Sequence, residues 1–452
     1  MNSKLSFSSY LVIGVMLFAL FFGAGNLIFP ASLGQNAGTN VWPAVIGFLA
    51  TGIGLPFLGT LAMGFSGSKN LQELSSRVHP VFAVIFTTIL YLTIGPFFAL
   101  PRTGAVSFEV GILPFMSADH AKIGLLIFTI IFFGVTLLFS LNPSKIVDNV
   151  GKYLSPGIII GLFILLLFVF IKPMGGFQAP HGSYIDNAFM TGFTEGYNTM
   201  DALASLVFGI IVITAVRSMG ITSTKGIIAA TAKSGGIAIF FLGVIYAGIA
   251  YLGATSTELF GIFANGGPVL SSASEHYFGS FGAILLSIII FLACLTTSIG
   301  LTTACGEYFH TLMPKVSYKA FVIFFSVFTC IIANFGLSNI IKYSIPMLML
   351  LYPLSIVLIL LTFLSPLFNH ARIVYVSVMF VTFLISLIDG LKALCGSLEI
   401  DYFGWMNPVV SLYENYLPFY GVGLGWLIPF LFVTLITGVI GRSQKDKSFK
   451  QI

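Results

Sequence analysis

Phe21-Phe22-Gly23-Ala24-Gly25-Asn26-Leu27-Ile28-Phe29-Pro30 falls in the middle of an apolar run that starts near Tyr10, and so lies at bilayer depth. A membrane helix has no need of two glycines and an asparagine at one point. Together they lower helix propensity, and in hydrocarbon any backbone group freed there has to be satisfied by protein, water or a ligand. The stretch predicts a discontinuous first helix whose freed amides and carbonyls hold a small zwitterion and a cation. A second reading stands beside it, because glycines in membrane helices also serve close helix packing.

Two further readings fail on the surrounding residues. Lys4, the apolar stretch and Gly-Ala-Gly imitate a secretory signal with a small-residue cleavage site, but the apolar character continues to Pro30 and more spans follow, so the segment is expected to stay in the membrane. Nor is Gly23-Ala24-Gly25 a dinucleotide fingerprint. It follows a helix-length apolar run in place of a short strand and lacks the third glycine.

Of the 452 residues, 57% are hydrophobic and 8% charged, whereas a soluble domain carries about a quarter charged residues. The expected class is an all-α integral membrane protein. A span takes about 20 apolar residues, and apolar segments centre near residues 20, 52, 92, 131, 162, 204, 244, 294, 327, 354, 380 and 430. That reading gives twelve transmembrane helices in a single domain, 1–452, with no room for a sizeable soluble part. The four cysteines, at 294, 305, 330 and 395, and the six scattered histidines have no disulfide or metal-site spacing.

The net charge of +5 would suggest nucleic acid in a soluble protein; here no nucleic-acid partner is expected, because topology accounts for it. Lys4, Lys69, Arg77, Lys145, Lys152, Arg217, Lys225, Lys233, Lys315, Lys319, Arg372, Arg442, Lys445, Lys447 and Lys450 fall on one side of the twelve-span layout. Only Arg102, Lys122, Lys172, Lys342 and Lys392 fall on the other. Basic loops stay in the cytoplasm, so both termini are expected inside a bacterial cell membrane, with the lipid bilayer as surroundings and no obligatory protein partner evident.

The sixth span reads Gly192-Phe193-Thr194-Glu195-Gly196-Tyr197-Asn198-Thr199-Met200-Asp201-Ala202 before turning apolar. Like the first it is interrupted and polar at mid-depth, and five spans separate the two starts. Five is odd, so two such units enter the membrane in opposite directions: a five-plus-five inverted repeat, about 1–172 and 186–366, with broken helices 1 and 6 and two accessory C-terminal helices at about 367–442. An ionisable residue within a span costs a few kcal/mol and faces the bundle interior; Asp201 is that residue. The alternative puts Glu195 and Asp201 in an outer loop. With the break inside the membrane, Tyr197, Asn198 and Thr199 would meet Gly23, Ala24, Gly25 and Asn26, half-helix N-termini offering N–H groups to a carboxylate and freed carbonyls accepting from an ammonium.

The eighth span carries Ala293-Cys294-Leu295-Thr296-Thr297-Ser298. Single hydroxyls usually bond back to their own helix, but three in a row cannot share one face. Neutral hydroxyl and carbonyl oxygens suit a small hard cation, which makes a sodium site plausible. A polytopic enzyme would need a nucleophile with a base, a carboxylate pair or a histidine cluster at one membrane face, and none is found; a channel would show a filter motif or charge rings.

Phe22-Gly23-Ala24-Gly25-Asn26-Leu27-Ile28-Phe29-Pro30, Pro101-Arg102-Thr103-Gly104-Ala105 and the span count resemble the bacterial branched-chain amino-acid:cation symporters of the BrnQ type, over essentially the whole chain. More distantly, Gly23-Ala24-Gly25-Asn26 and Ala293 to Ile299 look like the first and eighth helices of sodium symporters with the leucine-transporter fold. The resemblance implies sodium-coupled uptake of leucine, isoleucine or valine by alternating access. It implies a coupling sodium ion held by the carbonyls of Ala19, Phe22 and Ala293 and the hydroxyls of Thr296 and Thr297. Substrate is then expected at Gly23–Asn26 and Tyr197–Thr199, with Phe21, Ile94, Phe97 and Phe98 as a possible apolar wall. The gating arginine of those symporters is missing from Gly25–Pro30; Arg102 with Glu109 is a substitute, a plain surface ion pair the other reading. Proton coupling through Asp201 or Glu195, in a permease for other apolar amino acids, stays open.

Overall fold

The first apolar run divides into α1 (Phe7–Phe21) and α2 (Ala24–Ala37), with Phe22 and Gly23 extended between them. The computed structural model describes residues 6–141 and 155–443; Lys4, Lys145, Lys152, Lys445, Lys447 and Lys450, counted above as cytoplasmic, lie outside the described residues. The chain returns through α3 (Val41–Leu49) and α4 (Leu55–Ser66), joined by a wide π-turn at Ala50–Gly54. After the short α5 (Leu71–Ser75), α6 (Pro80–Leu92) runs into a second π-turn, Thr93–Phe97, where Gly95 leaves helical geometry ahead of Pro96. The same span continues as α7 (Ala99–Gly111). Next come α8 (Ala121–Ser140) and α9 (Ser155–Ile171).

The second interrupted span consists of α10 (Tyr184–Glu195), a 3-10 turn (Gly196–Thr199) and α11 (Asp201–Ser218). Long helices follow: α12 (Thr224–Phe260) and α13 (Gly266–Leu312), the latter bent at Gly279, whose φ of 59° only glycine adopts freely. α14 (Tyr318–Ala333), α15 (Leu337–Leu364), α16 (Arg372–Leu398), the short α17 (Met406–Tyr416) and α18 (Leu427–Ser443) complete the chain.

Among the described residues, 8 helical segments are long and apolar enough to cross a membrane, accompanied by shorter apolar helices such as Phe7–Phe21 and Tyr318–Ala333. Large apolar side chains stand exposed along them, for instance Ile127, Ile131 and Leu138 on α8. In water such a surface would aggregate; in a bilayer it is the lipid-facing surface. The protein is an all-helical multi-pass membrane protein.

Packing around the two broken spans follows one pattern. Both α1 and α2 lie along α12, while α10 and α11 lie along α3 and α4. Small residues allow the backbones to touch: a methyl group at Gly34 would sit 1.9 Å from the Ala250 carbonyl oxygen, and one at Gly192 would sit 2.0 Å from that of Ala44. Gly34 and Gly192 serve close packing outside the breaks, and Gly196 does so inside the second, where a methyl group would sit 2.0 Å from Thr51 Oγ1.

Candidate functional site between the broken helices

Asn26 fixes the geometry of the first break. Its Oδ1 accepts from the Gly23 backbone N–H (3.0 Å), capping α2, while its Nδ2 donates to Asp201 Oδ2 and to the Tyr246 hydroxyl. That hydroxyl donates to the same carboxylate oxygen (3.1 Å). One side chain therefore ties the start of α2 to the start of α11 and the middle of α12, and all three residues are buried. Asp201 opens α11, where the positive end of the helix favours a carboxylate. The outer-loop alternative for it does not hold.

At the second break the backbone is not unwound from Tyr197 to Thr199; it tightens into a 3-10 turn and then reverses at Met200 (φ 65°). Arg102 of α7 reaches across to this turn, Nη1 donating to the Asn198 carbonyl (2.7 Å) and Nη2 to that of Thr199 (3.3 Å). The side chain is buried and its guanidinium carbon lies 5.2 Å from the centre of the Phe29 ring. Two readings of Arg102 are thereby corrected. It is not in an outer loop, because Pro101 lies within the first turn of α7, where proline is tolerated, and does not end the span. It makes no pair with Glu109 either: that carboxylate accepts from Asn265 Nδ2 (2.7 Å).

A cavity lies where these parts meet. Gly23, Ala24, Gly25 and Asn26 line it from the first break, Thr199, Met200 and Asp201 from the second, and Arg102, Thr103 and Thr297 close it. Leu20, Phe21, Ile94, Ala204, Phe208 and Leu301 supply an apolar wall. In this conformation its volume is about 20 Å³, room for about one water molecule. Phe97 and Phe98 stay out of it, Phe97 packing on Phe328 instead (ring centres 5.6 Å apart). Tyr197 also points elsewhere, its ring stacked on Tyr352 at 4.2 Å. Asn198 contributes its carbonyl to Arg102, while its amide donates to Glu195 Oε2 (2.9 Å).

The oxygens expected around a cation form two groups, and of their residues Thr297 lines this cavity. Thr296 Oγ1 lies 2.8 Å from the Ala293 carbonyl and 3.4 Å from that of Ala19; Thr297 Oγ1 lies 3.4 Å from the Phe22 carbonyl. Gly23 makes the approach possible, since a methyl group there would sit 2.8 Å from Thr297 Oγ1. Besides the expected substrate and cation residues, the site contains Arg102, Asp201 and Tyr246. Arg102 and Asp201 carry a signal in the sequence, being ionisable at bilayer depth; Tyr246, one of two tyrosines in the long apolar α12, carries none and escaped the reading of the sequence.

A second cavity, about 570 Å³, opens at the end of the bundle where α4 and α13 finish, lined by Lys69, Glu73, Tyr91, Val207, Glu307 and Tyr308.

A small cavity between two interrupted membrane helices is the arrangement of the leucine-transporter fold, and solved structures agree with that fold. Mhp1, a nucleobase-cation-symport-1 family transporter in a closed conformation with bromovinylhydantoin bound, superposes with a TM-score of 0.55 at 16% identity over 87% of this chain and 94% of its own. MhsT in complex with L-phenylalanine gives 0.53 at 15% identity, covering 95% and 98%. Within that class, residues 6–444 match the profile of the branched-chain amino acid transport protein family. The chain is similar to the branched-chain amino acid permease BrnQ of Bacillus subtilis (51% identity over 95% of this chain and 96% of the relative). It is also similar to the branched-chain amino acid transport system 2 carrier protein of Pseudomonas aeruginosa (42%, 95% and 95%). The chain belongs to the branched-chain amino acid transport protein family, whose members are carriers and not enzymes.

Proposed function

We propose that the protein is a sodium-coupled symporter that carries leucine, isoleucine or valine into the cell by alternating access. The observation that carries this reading is that the adjacent Thr296 and Thr297 hydroxyls each reach a carbonyl at the end of α1, Ala19 and Phe22, next to the cavity at the first break. Thr296 Oγ1 makes a full hydrogen bond back to Ala293 (2.8 Å), but the two contacts to α1, at 3.4 Å, are longer than a strong O–H···O bond of about 2.7–2.8 Å and leave room for a shared ion to draw the hydroxyls away. The donor set is neutral and hard, which suits sodium and offers nothing soft to a transition metal. Sodium there would neutralise the carbonyl dipoles at the end of α1 and steady Gly23–Asn26, the stretch that faces the amino acid.

Twelve spans in a five-plus-five inverted repeat, about 1–172 and 186–366, with accessory helices at about 367–442, are the architecture this mechanism uses. The exchanged packing supports it: each broken span lies along the second span of the opposite repeat. The larger cavity opens at the end bearing Lys69 and Glu73, which the distribution of basic residues makes cytoplasmic. Both termini lie on that side, and this conformation faces inward.

Leucine uptake into proteoliposomes driven by a sodium gradient, at equal pH on both sides, tests the reading. Uptake that needs the gradient and carries sodium with it is expected. The Asp201–Asn26–Tyr246 cluster supports a second reading, a proton-coupled permease for apolar amino acids, because a buried carboxylate can also serve as a proton acceptor. Uptake that follows a pH gradient without sodium would select it.

A further inference from the structure

Arg102 is the one element of the site that the transport reading leaves without a task, and its surroundings are electrostatically incomplete. Its guanidinium abuts the first turn of α2: a methyl group on Gly25 would sit 3.0 Å from Nη2 and 3.3 Å from the guanidinium carbon. That turn is the positive end of a 14-residue helix. Two positive groups therefore lie side by side on the wall of one cavity. Asp201, the carboxylate lining the same space, is held by Asn26 and Tyr246. Arg102 Nε, fully buried, has no hydrogen-bond partner among the described residues. An anion between the guanidinium and the α2 N-terminus would satisfy both.

The present partners of Arg102 are equally informative. The Asn198 and Thr199 carbonyls that accept from it are what a ligand ammonium needs, and the cavity around the arrangement measures only about 20 Å³. An amino acid cannot enter while the guanidinium holds them.

We infer that Arg102 is the carboxylate-recognition residue of this carrier, and that between transport events its guanidinium occupies the carbonyls the substrate ammonium will take. On binding, the two exchange: the ammonium takes the Asn198 and Thr199 carbonyls, and the guanidinium turns to the carboxylate, which it shares with the N–H groups of α2. In the empty state the guanidinium is held by two neutral carbonyls, and only the bound state gives it an anion, so substrate carboxylate completes the pairing of a buried charge. The exchange also makes zwitterions the preferred cargo, since an amine without a carboxylate displaces Arg102 and gives it nothing in return. This inference rests on the cavity being the amino-acid site.

Binding of L-leucine and of 3-methylbutylamine, which is leucine without its carboxylate, to the purified protein and to Arg102→Gln and Arg102→Lys separates the possibilities. Arg102→Gln is expected to weaken leucine by at least about 100-fold, the loss of a charge-assisted bidentate pair. The same change is expected to tighten the amine, because the two carbonyls lose their resident cation. Arg102→Lys, which keeps the charge and loses the fork, should fall between for both ligands and provides the reading if the glutamine variant does not fold. Opposite signs for the two ligands are something a purely structural role would not produce. Leucine affinity unchanged in either variant, or both ligands weakened alike in a variant that melts as the parent does, overturns the inference and leaves the transport reading standing. A parent protein that binds no leucine overturns both.

Discussion

The two broken helices serve one cavity by different local chemistry. In the first, two extended residues interrupt the helix and glycine is indispensable, because Thr297 and Arg102 press against Gly23 and Gly25 where a side chain would stand. In the second, a 3-10 turn and a left-handed methionine redirect the chain, and its carbonyls are presented to Arg102 with no glycine at the point of contact. The second break has a glycine too, Gly196, but its close neighbour is Thr51 Oγ1, 2.0 Å from where a Cβ would stand, a packing contact outside the cavity. The first should therefore be intolerant of any side chain, and the second should depend on its backbone and on Asp201 far more than on the side chains of its turn.

Gly25→Leu gives the largest expected effect. Its side chain would enter the space of Arg102 and the Phe29 ring, whose nearest atoms lie 3.0 and 3.3 Å from a Cβ at this position. Leucine binding to the purified variant should be abolished, and normal affinity would remove the first break from the site. Thr297→Ala comes next. It deletes one of the two hydroxyls in the proposed cation site without adding bulk, so the half-saturation for sodium in leucine uptake should rise by at least about tenfold, the effect of losing one buried polar contact to a charged group. Unchanged sodium dependence at normal expression would exclude Thr297 from the ion's ligands. Tyr197→Phe is the smallest. The hydroxyl has no partner among the described residues and the ring is stacked on Tyr352, so leucine affinity should stay within about twofold of the parent. A large loss would mean that the second break works through its side chains after all.

That contrast also explains what the sequence disclosed. Gly23-Ala24-Gly25-Asn26 announces its break because close approach demands glycine, while Thr296-Thr297 stands out only as adjacent hydroxyls, one of which also bonds back to Ala293 of its own helix. Tyr197 was misleading, since nothing in a run of polar residues tells which ring faces the cavity and which stacks on Tyr352. Arg102 misled in another way: Pro101-Arg102 after an apolar run looks like the end of a span. The span is instead interrupted a turn earlier, at Thr93–Phe97, so that α7 restarts and carries the arginine into the core. Gly95-Pro96 is the breaker pair that marks the place. Tyr246 reaches the site only through the packing of α12 against both halves of the first span, a long-range contact with no local signature.

Coupling between the ion and the amino acid is the central claim, and by linkage it has to be reciprocal. The most direct test is leucine binding to the purified protein at fixed pH while sodium is titrated against a constant total salt. Sodium at the α1–α13 junction predicts that leucine affinity rises as sodium rises, and that leucine tightens sodium by the same factor. Leucine affinity that is the same in sodium and in its absence would contradict it.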